Sequence, residues 1–334
     1  MVFPVKSCAP IRRTCARLNE YGFEFDRMWM VATQKAPADG SGPAQWVLCS
    51  QREQPAMALI DQALAMPGDR GDQWTDDEIA AGPGPYCAGG RLTLSLRTPN
   101  PPPPLVVPFR TVAELSPLES TTIAVHKYSV AGVDEGDAAA AWLSSFLGIP
   151  VRLFVKHPTQ PRELSTKHVP SHSWFSYPPQ TAFADGFPLL LLSQESVDDV
   201  RSKLAARGDP TNVTTLNFRP NIVVSGCERP FQEDEWLQLR IGDAEFIGAS
   251  RCIRCMMPSN NPETGESGVE PTKLLMSYRR VDRGRKYQSC FGINMVHRRT
   301  GVVVRVADPI VPTQVGVHDG RGIWQLGTEP IVYA

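Results

Sequence analysis

Two thiols and two guanidinium groups lie within five residues of this chain, at positions 251–255 (Arg-Cys-Ile-Arg-Cys). The motif follows a run typical of a β-strand, and an Asn-Pro-Glu-Thr-Gly segment comes shortly after it, at 261–265. Fixed positive charge lowers the pKa of a nearby thiol, and soft metals prefer thiolate ligands. The pattern therefore predicts a site where one cysteine thiolate binds the soft metal of an anionic cofactor.

Three other interpretations of Cys252 and Cys255 stay open at this level. A structural zinc site needs a second close pair of ligands, and no such pair has suitable spacing. More distant ligands would have to come together in the folded chain: Cys227, Cys290 and His297. A thioredoxin-like motif should open a helix, whereas Met-Met-Pro follows at 256–258. The third alternative is a pair of thiols buried in a β-barrel core.

Two motifs in the first thirty residues could contact an anion. Lys6 and Ser7 follow a short strand and could hold a phosphate by charge and hydrogen bonding. Arg27, which is next to Asp26, could position its guanidinium group in a pocket. Taken alone, these motifs are better explained by a solvent-exposed lysine and a local salt bridge.

Two motifs in the second half of the chain suit an anionic heterocycle. Pro220 stiffens the backbone between Arg219 and Asn221, and this pair could recognise a planar ring that carries phosphate. An ordinary polar loop explains the pair equally well. In the Asp-Gly-Phe-Pro segment at 185–188, glycine would permit an anion to approach the backbone amides closely.

Length and composition limit the class of protein. The 334 residues suffice for two domains, and a formal net charge of -1 gives no electrostatic footprint for nucleic acid or an anionic membrane. Eight scattered cysteines without a secretory signal indicate a reducing compartment, and no apolar run is long enough to span a membrane. Neither a Ser/His/Asp arrangement nor a phosphate-binding glycine loop stands out, which argues against a hydrolase or a nucleotide-dependent enzyme.

Short runs rich in branched residues, separated by turn formers, predict a mainly β protein with a few helices, of the α+β class. Such strands are expected to close into barrels, and the domain boundary is predicted near 120–150, where the strand-rich first third gives way to an alanine-rich helix. The predicted strands are 29–32, 46–48, 92–96, 151–155, 189–192, 222–224, 237–241 and 302–306. The predicted helices are 134–147, 193–208 and a short piece around 57–64. Residues 67–90 and 98–104 are interpreted as surface insertions.

Taken in this order, the motifs resemble those of the MOSC superfamily, in which a MOSC N-terminal β-barrel precedes the MOSC domain. The similarity is strongest to its mitochondrial amidoxime-reducing members. The matching segments span nearly the whole chain: 4–8, 26–29, 51–55, 185–188, 217–221, 251–255, 261–265, 277–279 and 290–294. The resemblance implies that 1–125, with an insertion at 67–90, is the N-terminal barrel, and that 126–334 contains a linker helix and the MOSC domain.

The resemblance also implies a molybdenum cofactor, Mo-molybdopterin, whose pterin dithiolene holds the metal. Cys255 would be the thiolate ligand of the molybdenum, and Cys255 and Asp185 would be the catalytic residues. The remaining residues would hold the phosphate and the pterin: Lys6, Ser7, Arg27, Asp185, Gly186, Phe187, Arg219, Asn221, Ile253, Arg254 and Asn294. Several cations and one soft donor are what such an anionic, sulfur-rich ligand requires.

The implied reaction is the two-electron reduction of an N-hydroxylated small molecule, an amidoxime or a hydroxylamine, with release of water. A b-type cytochrome and its NADH-dependent reductase would supply the electrons. The alternative is a non-catalytic MOSC module that binds or transfers the cofactor or its sulfur. The implied location is the mitochondrial outer membrane. Because the chain starts almost at Lys6, without the anchoring helix of such relatives, a cytoplasmic location is the alternative.

Overall fold

The computed structural model describes residues 1–36, 40, 42–68, 74–164, 169–170 and 172–318. In this part of the chain, strands predominate over helices. The strands are β1 (Cys15–Asn19), β2 (Gly22–Phe23), β3 (Trp29–Lys35), β4 (Gln45–Leu48), β5 (Ile60–Ala65), β6 (Arg91–Leu96), β7 (Leu105–Pro108), β8 (Thr121–Val125), β9 (Tyr128–Asp134), β10 (Arg152–Lys156), β11 (Leu189–Ser193), β12 (Ile222–Val224), β13 (Trp236–Ile241), β14 (Ala244–Ile253), β15 (Cys290–His297), β16 (Val303–Arg305) and β17 (Ile310–Val315). The α-helices are α1 (Asp76–Ala81), α2 (Val112–Leu115), α3 (Asp137–Leu147), α4 (Gln194–Ala206), α5 (Thr215–Phe218) and α6 (Thr272–Tyr278).

A closed five-stranded barrel forms in the first half of the chain, with the strand order β10-β3-β4-β8-β9. Neighbouring strands are antiparallel except β4 and β8, which are parallel. Apolar side chains from successive strands fill its interior, among them Met30, Ile123 and Phe154, all at most 1% exposed. Alternation along each strand sends these residues inward, because successive side chains point to opposite faces.

A six-stranded sheet with the order β12-β11-β15-β14-β13-β17 curls into a half-barrel in the second half of the chain. Its strand β11 is buried along its whole length, which explains its continuous run of leucines. Helices α4 and α6 cover one face, where the rings of Phe218 and Phe291 stack with centroids 3.8 Å apart. The predicted fold class, mainly β with a few helices and two barrel-like units, is confirmed.

The two long predicted helices are present. Helix α3 ends at Gly148, whose left-handed φ of 68° provides the predicted C-cap. Helix α4 begins after Ser193, whose side chain accepts a hydrogen bond from the backbone N–H of Ser196. No helix among the described residues is both long and apolar enough to cross a membrane.

The helix predicted around 57–64 is wrong in its second half. Residues Pro55–Leu59 form a 3-10 turn, but Ile60–Ala65 form strand β5, which pairs with β6 in register Leu64↔Leu92. The alternating pattern of β6 offers β5 a partner, and strand pairing outweighs the weak local helical propensity.

The two segments interpreted as insertions differ from each other. Within 67–90, residues 69–73 lie outside the described part of the chain, and the remainder contains α1, with a capping box between Thr75 and Glu78. The proline-rich segment 98–104 connects β6 to β7 without helix or strand, as predicted. That 67–90 is an insertion, and that the domains meet near residue 125, stay predictions.

Strand β14 carries the cysteine motif and bends before reaching it. Its pairing with β15 shifts register twice, between Gly248 and Ser250 and between Arg251 and Ile253. Such bulges bend a strand and redirect its side chains. A methyl group on Gly248 would lie 2.1 Å from the carbonyl oxygen of Trp236, so the bend requires glycine at that position.

We predict that Gly248→Ala lowers the free energy of unfolding by about 3 kcal/mol, the upper end of the usual cost of overpacking. The backbone carbonyl of Trp236 cannot move aside as a side chain would. Chemical denaturation of both proteins measures the change. The control is Gly186→Ala, because a methyl group at Gly186 meets no atom within 4 Å. Equal stability of the two variants would contradict the prediction.

Candidate cofactor site

Two cavities share a wall where the barrel meets the half-barrel sheet. The inner cavity has a volume of about 130 Å³ and the outer one about 550 Å³. Every residue predicted to bind or catalyse lines the inner cavity: Lys6, Ser7, Arg27, Asp185, Gly186, Phe187, Arg219, Asn221, Ile253, Arg254, Cys255 and Asn294. Six segments that are distant in sequence therefore meet at one place.

The two cysteines of the motif have different environments. Cys255 lies two residues beyond β14 and is exposed, and its Sγ accepts a hydrogen bond from Nε of Arg52, 3.3 Å away. Burial raises the pKa of the Cys252 thiol, although Arg254 opposes this effect. Because its sulfur is exposed to the cavity and held by Arg52, Cys255 is the better placed metal ligand.

Asp185 is the anion to which three cationic or polar side chains converge. Its carboxylate pairs with Lys6, accepts from Nη2 of Arg52 at 3.0 Å and lies 3.1 Å from Nε2 of His126. Burial alone would raise the pKa of Asp185, but Lys6, His126 and Arg52 together hold it well below its usual value. The carboxylate is therefore ionised. Half of its side chain is exposed to the open cavity, so a ligand can reach it.

The loop that presents Asp185 is fixed from behind by Arg162. The guanidinium of Arg162 is 6% exposed and donates to the carbonyl oxygens of Ala182, Ala184 and Asp185, at 2.9, 2.5 and 2.8 Å. The guanidinium also lies 4.5 Å from the ring centroid of Tyr128, and burial lowers its pKa to about 10. Arg162 therefore orders the loop without reaching the cavity.

Three of the predicted ligand-binding residues adopt a left-handed backbone conformation. The φ angles of Ser7, Arg27 and Arg219 are 73°, 51° and 54°. This region is uncommon for residues other than glycine and concentrates at functional sites. Arg219 follows the short helix α5, which cannot continue into Pro220. The backbone strain orients these side chains toward the cavity.

Buried guanidinium groups form the inner end of the cavity. Arg27 and Arg219 lie 4.3 and 4.4 Å from the ring centroid of Phe3, which is fully buried. Nη2 of Arg219 donates to the carbonyl oxygen of Cys8 at 2.8 Å. Burial, followed by repulsion from Arg27, lowers the pKa of Arg219 to about 9. An anion in the cavity would offset both the cost of burying the Arg219 charge and its repulsion from Arg27.

Asn221 and Arg254 hold the site together through backbone contacts. Oδ1 of Asn221 accepts from Nη1 of Arg27 at 3.0 Å and from the backbone N–H of Leu190 at 3.1 Å, so this amide orients Arg27. Arg254 donates to the carbonyl oxygens of Phe291 and Phe218, at 2.6 and 3.1 Å. Its positive charge has no carboxylate partner among the described residues.

The site fits an anionic, phosphate-bearing ligand on two independent observations. Five cationic side chains line the inner cavity, and only two carboxylates of the described residues pair with them, those of Asp26 and Asp185. In addition, the buried Oγ of Ser7 has no hydrogen-bond partner among the described residues. A buried hydroxyl without a partner is costly, and a phosphate oxygen would satisfy it.

The further zinc ligands considered above do not join the two cysteines. Nε2 of His297 lies 2.7 Å from the carbonyl oxygen of Asn19, and its ring stacks on Tyr177. Within the described ranges, no group of three or more Cys, His, Asp or Glu side chains has metal-binding geometry.

Sequence reasoning missed three residues of the site: Arg52, His126 and Arg162. Arg52 lies in the segment 51–55 that supported the family resemblance, so that segment carried the signal. His126 is in the tight connection between β8 and β9 and has no motif around it. Its Nε2 can donate to Asp185 or accept from Nη1 of Arg52, 3.3 Å away, but cannot do both at once.

Family comparisons agree with this architecture. Residues 1–150 match the family model of the MOSC N-terminal beta barrel domain, and residues 178–311 match that of the MOSC domain. A protein with these two units and a cation-lined cavity between them is a two-domain MOSC protein. The chain belongs to the MOSC family, as its motifs predicted.

Several characterised relatives resemble the chain over most of its length. It is 30% identical to mitochondrial amidoxime-reducing component 1 of Homo sapiens, covering 92% of this chain and 80% of that protein. The identity to the Mus musculus protein of the same name is 29%, with 92% and 79% covered. The molybdenum cofactor sulfurase of Danio rerio is 26% identical and matches 93% of this chain, but only 33% of its own length. The chain is therefore similar to proteins of two kinds, amidoxime-reducing components and a molybdenum cofactor sulfurase.

We predict that Lys6 makes the cofactor-free protein more stable as the pH rises from about 8 to 10. Burial lowers the pKa of Lys6 in the folded state to about 8, against a usual value of 10.5. Below pH 8 both states bind the proton, and the folded state bears the full penalty. Between these values the unfolded state binds more protons, so the free energy of unfolding rises with pH, by at most about 1.4 kcal/mol per unit.

Urea denaturation at pH 8 and pH 10 measures this slope in the wild type and in Lys6→Met. The free energy of unfolding of the variant should rise less between pH 8 and pH 10 than that of the wild type. Lys156→Met is the matched control, because the pKa of buried Lys156 is also lowered to about 8, far from the cavity anions. The bound cofactor or another anion should reduce the contribution of Lys6 to the pH dependence of the free energy of unfolding, but not the contribution of Lys156. An identical slope in wild type and Lys6→Met would contradict the prediction.

Proposed function

We propose that this chain is a molybdenum-cofactor-dependent reductase of N-hydroxylated substrates, of the amidoxime or hydroxylamine type. One observation carries the proposal: a single exposed thiol, that of Cys255, lies in a cavity lined by five cationic side chains, with which only two carboxylates of the described residues pair, those of Asp26 and Asp185. A soft donor beside excess positive charge suits an anionic, sulfur-rich metal cofactor. The names of the relatives support the same class of chemistry.

In this proposal Cys255 is the protein ligand of molybdenum, and the hydrogen bond from Nε of Arg52 holds its sulfur in position. Lys6, Ser7 and Arg219 hold the phosphate and pterin, with the other predicted residues completing the cavity wall. When bound, the cofactor would supply the two-electron reduction of the N–O bond. The protein's part is to bind the cofactor, to orient it and to control its surroundings.

The outer cavity is the proposed entrance for substrate. It shares Cys255, Asp185 and Arg52 with the inner cavity, so a molecule that enters it reaches the proposed metal ligand. Reduction of an amidoxime to an amidine and water consumes two protons. His126 lies in the outer cavity within hydrogen-bond distance of Asp185, which makes Nε2 of His126 the proposed site where a proton is held beside the substrate.

We also propose that a b-type cytochrome and its NADH-dependent reductase supply the electrons, and that the protein works in mitochondria. The location rests on the names of the amidoxime-reducing relatives, which call them mitochondrial components, and the donor rests on the resemblance of the motifs to that family. The substrate, the donor and the location are separate claims, and each needs its own measurement.

A second candidate function is the handling of the cofactor or its sulfur without reduction of a substrate. The match to molybdenum cofactor sulfurase over 93% of this chain favours it. The same cavity would then hold the cofactor for transfer. Reduction of benzamidoxime with an artificial electron donor distinguishes the two functions, because a carrier would bind the cofactor and leave benzamidoxime unchanged.

The test of the proposed function is the molybdenum content of protein made in a host that synthesises the cofactor. We expect about one molybdenum per chain in the wild type and at least a tenfold loss in Cys255→Ala, since the variant lacks the soft ligand. Cys252→Ala is the control, and it should retain its molybdenum. Equal loss in both variants would instead indicate a site of two thiolates. Equally low content in wild type and Cys255→Ala would contradict the proposal.

A further inference from the structure

A strongly basic surface loop, residues 280–288 between α6 and β15, lies beside the site. Arg280, Arg283, Arg285 and Lys286 are exposed, and none of them forms an ion pair with a residue that the structure describes. The one acidic residue, Asp282, is buried and accepts a hydrogen bond from the backbone N–H of Gly284. We call these nine residues the basic loop. It carries four positive charges that pair with no described carboxylate, in a chain whose formal net charge is -1.

The base of the basic loop is fixed by buried contacts. Arg279 pairs with Asp234, and both side chains are 7% exposed. Nε of Arg279 donates to the carbonyl oxygen of Cys290 at 3.2 Å, and the N–H of Cys290 donates to the carbonyl oxygen of Arg279 at 2.9 Å. These bonds close the loop at both ends. A surface presented in this way loses little conformational freedom on binding.

The basic loop is linked directly to the cysteine motif. The N–H of Arg254 donates to the carbonyl oxygen of Ser289 at 2.8 Å, and Ile253 pairs with Cys290 in the sheet. Arg254, which precedes Cys255, is therefore bonded to Ser289, the residue that follows the loop. Arg285 also lines the outer cavity. A molecule docked on the loop lies next to the proposed metal ligand.

Most of the charge of the loop is outside the cavities. Arg280, Arg283 and Lys286 line neither the inner nor the outer cavity. Tyr287, which is 83% exposed, lies among them. A small anionic substrate in the cavity would not contact these side chains. A cluster of cations around an exposed tyrosine suits a protein surface, since aromatic residues and arginine dominate the binding energy of interfaces.

We propose that the basic loop is the docking surface for the acidic face of a one-electron donor protein, a b-type cytochrome. The inference rests on the proposed function for the donor's role and on the charges above for its surface. Each amidoxime takes two electrons and two protons to give the amidine and water. Two ferrous haem groups are thereby oxidised to ferric, in two successive encounters at the same surface. Rapid docking and release by complementary charge suits such repeated encounters.

The test is a triple variant, Arg280→Gln, Arg283→Gln and Lys286→Gln, compared with Lys35→Gln, Arg240→Gln and Arg299→Gln. Both sets remove two arginines and one lysine from exposed positions, so their net charges are equal. The first readout is binding of the soluble haem domain of an acidic b-type cytochrome by calorimetry. The second is kcat/KM for that cytochrome at low and high salt. The third is benzamidoxime reduction with dithionite-reduced methyl viologen.

We expect the loop variant to lose at least about tenfold in cytochrome affinity and in kcat/KM, the lower end of electrostatic steering effects. The loss should shrink at high salt, and the viologen rate should stay at the wild-type value.

Equal affinities in the loop and control variants would overturn the proposal. A raised KM for an anionic amidoxime with viologen would also overturn it, because the loop would then act on substrate. Absence of viologen activity in the wild type would defeat the proposed function, whereas the binding measurement would still decide the docking surface.

Discussion

Excess positive charge in a confined space is the constraint on which the rest of the structure depends. Burial disfavours the charged form of Lys6 and Arg219 strongly enough to lower both pKa values, to about 8 and about 9. The fold nevertheless gathers three further guanidinium groups there and supplies only two carboxylates. In the absence of a ligand, such an arrangement opposes folding. It is explained if the site exists to neutralise an anion.

Backbone groups and rings hold Arg219 and Arg254, whereas Asp26 and Asp185 pair with the other three cations. Arg219 and Arg254 donate to carbonyl oxygens, and the ring of Phe3 lies against Arg27 and Arg219. Carboxylates in the same places would have cancelled the field that attracts the ligand. Where a carboxylate is used, at Asp185, it ties Lys6 to the segment around Cys255 through Arg52. The positive field of the cavity is thus preserved while its walls are made rigid.

The sequence was informative about the elements and about which residues meet, for identifiable reasons. Leucine runs and glycine stops are local signals, so β11 and the end of α3 could be predicted. Neither motif alone predicts that Lys6 and Cys255 lie in the same site. That prediction came from the resemblance to a family whose motifs occur in the same order. The strand β5 was mistaken for helix because its partner β6 is about thirty residues away. Arg162 gave no signal, because its partners are backbone carbonyls whose positions depend on the folded loop.

The central claim is that the cavity positions one protein sulfur, that of Cys255, on the molybdenum of an anionic cofactor. X-ray absorption at the molybdenum edge tests this most directly, using protein from a cofactor-producing host and its Cys255→Ser variant. The account predicts one sulfur ligand fewer in the variant and no change in Cys252→Ser. The same number of sulfur ligands in wild type and Cys255→Ser would contradict it.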